Sequence, residues 1–232
     1  MVSSPTRILL ATRDQELAHS VAGKLAESGL QLLDTTEASE TVRAALESHP
    51  SLFIIDAARP VGDVLGLCQA LRAASRGPII VLLGDGIPGL DEATVLEAGA
   101  DDCMLHPVSH RELVARVRAH LRRRNQPGKD VPRGPVKVGE LEVDVAAHAV
   151  RRHGSPVDLT PLEFKLLLYL FNNRGKVLTR THLLEKVWGW DCVTSTRTVD
   201  VRIRLLRKKI ETNPDHPKMV VTVIGMGYRF DG

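Results

Sequence analysis

Short apolar runs alternate with amphipathic segments throughout the first half of the chain, and this alternation restricts the fold more than any other feature. Each run is almost continuously apolar, which is typical of strands buried on both faces of a parallel sheet. The runs occupy residues 7–11, 30–35, 52–56, 78–83 and 103–105, and the helical segments between and after them occupy 15–28, 37–48, 65–74, 91–98 and 109–122. We therefore predict a doubly wound (βα)5 domain of α/β class, with its sites at the carboxyl ends of the strands.

The charge of the chain changes sign between its two halves. Residues 1–122 carry 11 cationic against 16 anionic side chains, whereas residues 136–232 carry 16 against 11. Residues 123–135 lie between them and are rich in proline, glycine and charge, which predicts a flexible linker. Two domains are therefore expected, and the basic one is the candidate for binding a polyanionic partner.

Composition also excludes several classes of protein. No run of 18 apolar residues and no secretory signal sequence occur, so we expect a cytoplasmic protein that does not contact membranes. The cysteines Cys68, Cys103 and Cys192 are scattered, which favours reduced thiols over a disulfide framework. Pro107 lies between His106 and His110 and interrupts the helical spacing that a metal site would need, so no metal site is predicted. No cofactor is predicted either.

The segment 196–211 has the pattern of a helix with two different faces. Val199, Ile203, Leu206 and Ile210 form an apolar stripe, and a basic face lies opposite. Most charged faces are simply solvated, but here cations strongly outnumber anions and apolar residues interrupt the basic face. A helix in the DNA major groove needs that mixture, because cations contact phosphates and guanines while small apolar groups contact thymine methyls. The basic face contains Arg197, Thr198, Val201, Arg202, Arg204, Leu205, Arg207 and Lys208, and Asp200 can pair with Arg204 one turn later.

Local signals around this helix predict its scaffold. Alternating residues at 136–144, 149–152 and 156–159 predict a small antiparallel sheet. Thr160, Pro161 and Glu163 are typical of a helix start with a reciprocal cap, and Thr179 is expected to cap a second helix. A hairpin of residues 219–224 and 227–230 follows the third helix. Sheet, three helices and hairpin together predict an α+β winged-helix DNA-binding domain.

The first half resembles the receiver domain of bacterial two-component response regulators over residues 6–122. The resemblance rests on Asp56 at the end of a strand, with Arg59 and Pro60 after it, and on the segments 97–102, 106–107 and 111–118. It implies that Asp56 corresponds to the phosphoacceptor. Several positions that serve phosphorylation in the family are changed here, namely Thr12, Arg13, Leu83, Cys103 and His106.

These changes predict a degenerate phosphorylation pocket. The family places two carboxylates for Mg²⁺ where this chain has Thr12 and Arg13, and Asp14 comes one position too late. Since phosphoryl transfer needs a cation to neutralise the developing charge, Asp56 is not expected to be phosphorylated efficiently. Asp56 is then either a solvated carboxylate or the partner of a guanidinium from Arg13 or Arg59 that replaces the ion.

The second half is similar to the effector domain of OmpR/PhoB-type transcription factors over residues 136–231. The shared motifs occupy residues 158–164, 187–189, 197–201, 206–209 and 225–230. The resemblance implies that 196–211 is the recognition helix and 221–229 the wing, with Thr222 contacting the DNA backbone. Leu205 and Ile224 stand where the family often has arginines that contact bases and the minor groove, which predicts less guanine contact and more A·T-rich sites.

The same resemblance implies two protein interfaces. Family members dimerise through charged pairs, and the matching positions are Glu92, Asp101, Asp102, Glu112, Arg116 and Arg123, although Glu92 would repel Glu112. A homodimer on tandem half-sites is therefore expected, without the usual interface being required. The loop 188–195, with Trp188, Trp190 and Asp191, corresponds to the loop that can face RNA polymerase.

Three functions remain open at this point. The favoured one is a DNA-binding transcription regulator that works without Asp phosphorylation, and the second is a conventional response regulator activated at Asp56. The third is a flavodoxin-like enzyme or ligand-binding domain. The third is disfavoured because residues 11–14 lack a glycine-rich phosphate loop and no nucleophile–base set converges by spacing.

Overall fold

The computed structural model describes residues 6–84, 87–124, 135–188 and 196–232. The contacts within the chain divide it into two compact units, residues 1–122 and 123–232.

The first unit confirms the predicted doubly wound fold. Its five strands form one parallel sheet in the order β2-β1-β3-β4-β5, with a helix after each strand. The elements are β1 Thr6–Ala11, α1 Gln15–Ala26, β2 Leu30–Thr35, α2 Ala38–Ser48, β3 Leu52–Asp56, α3 Val64–Ala74, β4 Ile79–Leu83, α4 Glu92–Glu97, β5 Asp102–Leu105 and α5 His110–Arg124.

The central strands β3 and β4 are buried along their whole length, as their continuous apolar sequences predict. The carboxylate that ends β3, on Asp56, is therefore carried to the edge where the parallel strands finish, next to the loop after β1. This is the edge at which sites form in open α/β sheets.

The second unit confirms the predicted winged helix. A four-stranded antiparallel sheet precedes three helices, and a three-stranded sheet in the order β10-β12-β11 carries the wing. The elements are β6 Val136–Val138, β7 Leu141–Asp144, β8 Ala149–Arg152, β9 Ser155–Val157, α6 Pro161–Asn172, β10 Val177–Thr179, α7 Arg180–Leu183, a π-helical turn Leu184–Trp188, α8 Arg197–Ile210, β11 Val220–Val223 and β12 Gly227–Phe230.

Caps define the helices of this unit as the sequence predicts. The Thr160 hydroxyl accepts a hydrogen bond from the Glu163 amide at 3.3 Å, and the Glu163 carboxylate accepts one from the Thr160 amide at 2.8 Å. Lys209 of α8 donates to the same carboxylate at 2.6 Å, which joins α8 to the start of α6. Strand β10 was not predicted, because three residues are too short to show an alternating pattern.

The linker prediction falls mostly outside the described part of the chain, at residues 125–134. Helix α5 runs to Arg124, so the first two residues of the predicted linker are helical. Among the described helices, none has the length and apolar character needed to cross a membrane.

Candidate functional site

Helix α8 presents an exposed cationic stripe. Arg197, Arg204 and Lys208 are exposed and follow one another at helical spacing, with the partly exposed Val201 between them. The opposite stripe, which includes Val199, is fully buried in the core of the unit. Helix α8 thus has the amphipathic division that its sequence predicts.

A second group of predicted DNA-binding residues is buried. Thr198 and Arg202 have no exposed surface and Leu205 is 9% exposed. The sequence placed these residues on the flank of the basic face, and periodicity alone could not show that the flank is covered. A base contact by any of the three would therefore require that this stripe be uncovered.

Arg207 braces the wing. Its guanidinium donates to the Val220 carbonyl at 2.8 and 2.6 Å and to the Thr222 hydroxyl at 2.8 Å. Its carbon Cζ also lies 5.5 Å from the centre of the Tyr228 ring. Burial lowers the pKa of Arg207 from its ordinary value. Within this structure Arg207 is a positioning residue for the wing, and its contact with DNA stays a prediction.

Asp200 of α8 joins this helix to β12, the second strand of the wing. Its Oδ1 atom accepts hydrogen bonds from the Tyr228 hydroxyl at 2.6 Å and from Arg180 Nε at 2.7 Å. The structure thus gives this carboxylate two partners that lie 28 and 20 residues away in the sequence. Burial and the bond to Asp200 raise the pKa of Tyr228 to about 12.

The wing itself ends in apolar side chains. Ile224 is 93% exposed and Met226 is 58% exposed, while Thr222 lies on the exposed side of β11. Ile224 therefore lies where the resemblance implied a residue that faces DNA.

Trp188 does not face outward. It ends the π-helical turn and is 1% exposed, so it belongs to the hydrophobic core and corrects the prediction of a polymerase-facing side chain. Trp190 and Asp191 lie outside the described residues, and polymerase contact stays a prediction.

The pocket at the end of β3 is closed by a hydroxyl. Asp56 is fully buried, and its Oδ2 atom accepts a hydrogen bond from the Thr12 hydroxyl at 2.6 Å. Its Oδ1 atom accepts from the amides of Ala58 at 3.0 Å and Arg59 at 3.3 Å. His106 Nε2 lies 3.4 Å from the same oxygen.

Neither guanidinium pairs with Asp56, contrary to the sequence-based hypothesis. Arg59 Nε lies 3.4 Å from Asp14, and the Arg13 side chain is exposed. A solvated Asp56 is also wrong, since the carboxylate is buried. The positions of these residues in the sequence could not show that Arg59 lies next to Asp14 and not next to Asp56.

The donors around Asp56 do not fit Mg²⁺, which the fold family binds at this edge. The Thr12 hydroxyl is engaged with Asp56, and Arg13 contributes a positive charge. The Asp14 carboxylate caps α1 through the Leu17 amide at 3.0 Å, which with Arg59 holds its pKa below the ordinary value. Within the described ranges, no three His, Cys, Asp or Glu side chains are grouped to hold a metal ion. Leu83 and Cys103, at the switch positions, are buried.

The charges predicted at the dimer interface are paired inside the chain. Both oxygens of Asp102 accept hydrogen bonds from Arg116 Nη1 at 3.0 Å, and one of them lies 3.3 Å from His120 Nε2. Arg116 also binds Glu112 at 2.8 Å. Burial opposes ionisation of Asp102, but His120 and Arg116 together hold the pKa of its carboxyl below its ordinary value. Asp101 is buried against Arg72 and the Ile79 amide.

Asp101, Asp102 and Arg116 are buried and paired within the chain, so they leave little surface for contacts between protomers. Glu112, which pairs with Arg116, is partly exposed. The dimer interface stays a prediction. Glu92 is partly exposed at the start of α4, and the side chain of Arg123 lies outside the described structure. His120 was missed by sequence reasoning, although its spacing of four from Arg116 and eight from Glu112 places all three on one face of α5.

Comparison with known proteins agrees with this architecture. Residues 154–230 match the family described as "Transcriptional regulatory protein, C terminal". Over 223 residues the chain is 39% identical to the DNA-binding response regulator MtrA of Mycolicibacterium smegmatis, covering 96% of both chains. It is 35% identical over 227 residues to the sensory transduction protein RegX3 of Mycobacterium tuberculosis, covering 98% of this chain and all of that one.

A solved structure is also similar along its full length. A cysteine-to-serine variant of RitR superposes with a TM-score of 0.77 and 30% sequence identity, covering 98% of this chain and 100% of that chain.

Proposed function

Because the chain belongs to the OmpR/PhoB-type family of DNA-binding response regulators, we propose that it is a sequence-specific, non-enzymatic transcription regulator that binds tandem half-sites as a homodimer and works without phosphorylation of Asp56. A cytoplasmic location, where DNA is accessible, is part of this proposal.

The exposed stripe of α8 supports phosphate contact. Arg197, Arg204 and Lys208 present cations along one line of the helix, and the wing is bonded to the same helix through Arg207 and Asp200. Phosphate contacts position a protein on the duplex, whereas contacts with base edges specify the sequence. Val201 lies within the stripe and is the apolar residue best placed for a thymine methyl.

The observation that carries phosphorylation independence is the hydrogen bond between Thr12 and Asp56. A buried carboxylate that already accepts a hydroxyl and two amides is stabilised without a metal ion. Asp56 therefore serves, in our proposal, as a structural acceptor that holds the loops after β1 and β3 together.

The conventional alternative is favoured by one feature. Asp56 keeps its place at the end of β3, and His106 lies 3.4 Å from it, where a protonated imidazole would supply a positive charge. Phosphorylation at Asp56 would then need to displace the Thr12 hydroxyl.

The deciding experiment treats the full chain with a small phosphodonor and Mg²⁺ and measures its intact mass. We expect no phosphoryl adduct, with a conventional response regulator as the positive control. An adduct that Asp56→Asn abolishes would establish the alternative. Genome-wide binding by the wild type and Asp56→Ala would then show whether occupancy of the operators depends on this carboxylate.

Dimerisation is tested separately by sedimentation of the full chain with and without operator DNA. Our proposal expects a dimer on DNA whose interface does not exchange the Asp102 and Arg116 charges between protomers. A monomer bound to a single half-site would contradict it.

A further inference from the structure

The tip of the wing is apolar, uncharged and exposed. Ile224 has 93% of its surface exposed and Met226 58%, on either side of Gly225. Between Lys218 and Arg229 the sequence contains no charged side chain. The side chains of a tip without cations form no ion pairs with phosphates, so burial of apolar surface is what they can contribute to DNA affinity.

The stem beneath this tip is held at several points. β12 is the central strand of its sheet, and Gly227 lies so close to β10 that a Cβ atom would be 2.1 Å from the Leu178 carbonyl oxygen. Arg207 binds the Val220 carbonyl of β11, and Tyr228 of β12 binds Asp200. The apolar tip is therefore presented by a braced hairpin that is bonded to α8.

The stem of the wing is bonded to the helix that carries the exposed cationic stripe. Thr222 accepts from Arg207, whose neighbour Lys208 belongs to the exposed cationic stripe. The wing thus flanks the stripe that our proposed function places on DNA phosphates. Ile224 lies two residues beyond Thr222, so the tip belongs to the hairpin that is bonded to the helix carrying this stripe.

We propose that Ile224, supported by Met226, is an apolar wedge that enters the minor groove at a flexible pyrimidine–purine step. Apolar side chains inserted from the minor groove partly unstack a base step, and TA and CA/TG steps open at the lowest cost. Stiff A-tracts attract cationic side chains through their negative potential, which this tip cannot use. The inference rests on the proposed function, because it assigns a DNA step to the wing of the same site.

The test uses duplexes selected from a random-sequence pool by the full-length wild type. At the step facing the wing, as located by footprinting, one duplex carries TpA and a second carries a run of adenines, each with 2-aminopurine beside the step. We expect wild-type binding to raise 2-aminopurine fluorescence on the TpA duplex only. Ile224→Ser should weaken binding roughly tenfold on TpA and leave the adenine-run duplex unchanged, whereas Ile224→Arg should prefer the adenine run.

Leu46→Ser is the matched control, since Leu46 is an exposed apolar residue of α2 in the other unit. It should change neither affinity nor fluorescence, and both serine variants should unfold at the wild-type temperature. Wild-type affinity for Ile224→Ser on both duplexes, or an equal loss on both, would overturn the wedge. If Ile224→Ser instead weakens binding to neutral lipid vesicles and spares DNA, the tip serves a membrane and the wedge is also overturned.

The failure of this inference is distinguishable from failure of the proposed function. Lys208→Ala on the same duplexes should lower affinity equally for both steps. If Lys208→Ala weakens binding while Ile224→Ser does not, the DNA-binding function stands and the wedge falls. If the wild type selects no duplex, the proposed function itself falls.

Discussion

The Thr12 hydroxyl donates a 2.6 Å hydrogen bond to the buried carboxylate of Asp56. Thr12 also accepts a hydrogen bond from the Asp14 amide at 2.9 Å, so one side chain fixes the loop after β1 and provides a hydrogen bond to the carboxylate that ends β3. We propose that the pocket of a response regulator is retained here as a connection between strands, while its metal-binding donors are lost.

Restoring those donors should restore phosphorylation. Thr12→Asp combined with Arg13→Asp places two carboxylates beside Asp56, where they create the oxygen-rich site that Mg²⁺ prefers. We expect the double variant to gain a phosphoryl adduct from a small phosphodonor in the presence of Mg²⁺, measured by intact mass. The adduct should disappear with chelator and with Asp56→Asn in the same background. An adduct on the wild type at equal yield would mean that Thr12 does not close the pocket.

Arg207 and Lys208 are neighbours in sequence with different expected roles. Arg207→Ala removes hydrogen bonds to Val220 and Thr222, so it should lower the free energy of unfolding of the second unit by about 1–3 kcal/mol. Lys208→Ala changes an exposed side chain and should cost less than about 0.5 kcal/mol. Denaturant titration in a Trp190→Phe background, followed by the fluorescence of the buried Trp188, measures both.

For DNA affinity that comes from phosphate contacts, Lys208→Ala should have a larger effect than Arg207→Ala. Lys208→Ala should weaken all DNA sequences alike and reduce the slope of log K against log salt by about 1. An unchanged salt slope for Lys208→Ala, or full stability for Arg207→Ala, would contradict this division of roles.

The fold was predictable because its signals are local. The continuous apolar strands β3 and β4 and the Thr160–Glu163 cap needed only neighbouring residues to be recognised. The partners of polar side chains were not predictable, because they are set by tertiary packing. Asp200 binds Arg180 and Tyr228, and Arg202, expected on the basic face, is buried.

Asp102 should couple the stability of the first unit to acid. Its carboxyl pKa is lower in the folded chain than its ordinary 3.8, so its contribution is present above that pH and is lost as pH falls through the folded pKa. Asp102→Asn should lower the free energy of unfolding at neutral pH by about 3–5 kcal/mol, because Arg116 loses a buried partner. Amide hydrogen exchange in β5 and α5 measures the loss.

The exposed pair Lys24–Glu27 supplies the control for Asp102. Glu27→Gln should change stability by less than about 1 kcal/mol. The outcome that would contradict intrachain pairing is a dimer that dissociates in Asp102→Asn while hydrogen exchange in β5 and α5 stays at the wild-type rate.

Tyr228 should make the wing sensitive to alkali. Its folded pKa of about 12 exceeds the ordinary 10, so the stability that it contributes is complete below pH 10 and is lost as pH rises towards 12. Tyr228→Phe removes the bond to Asp200, which should cost about 1 kcal/mol at neutral pH, and it should flatten the loss of stability between pH 10 and 12. The chain has two tyrosines, so the tyrosinate absorbance of Tyr169→Phe reports Tyr228 alone and that of Tyr228→Phe reports Tyr169. Titration of Tyr228 near pH 10 would show that Asp200 does not hold the wing against α8.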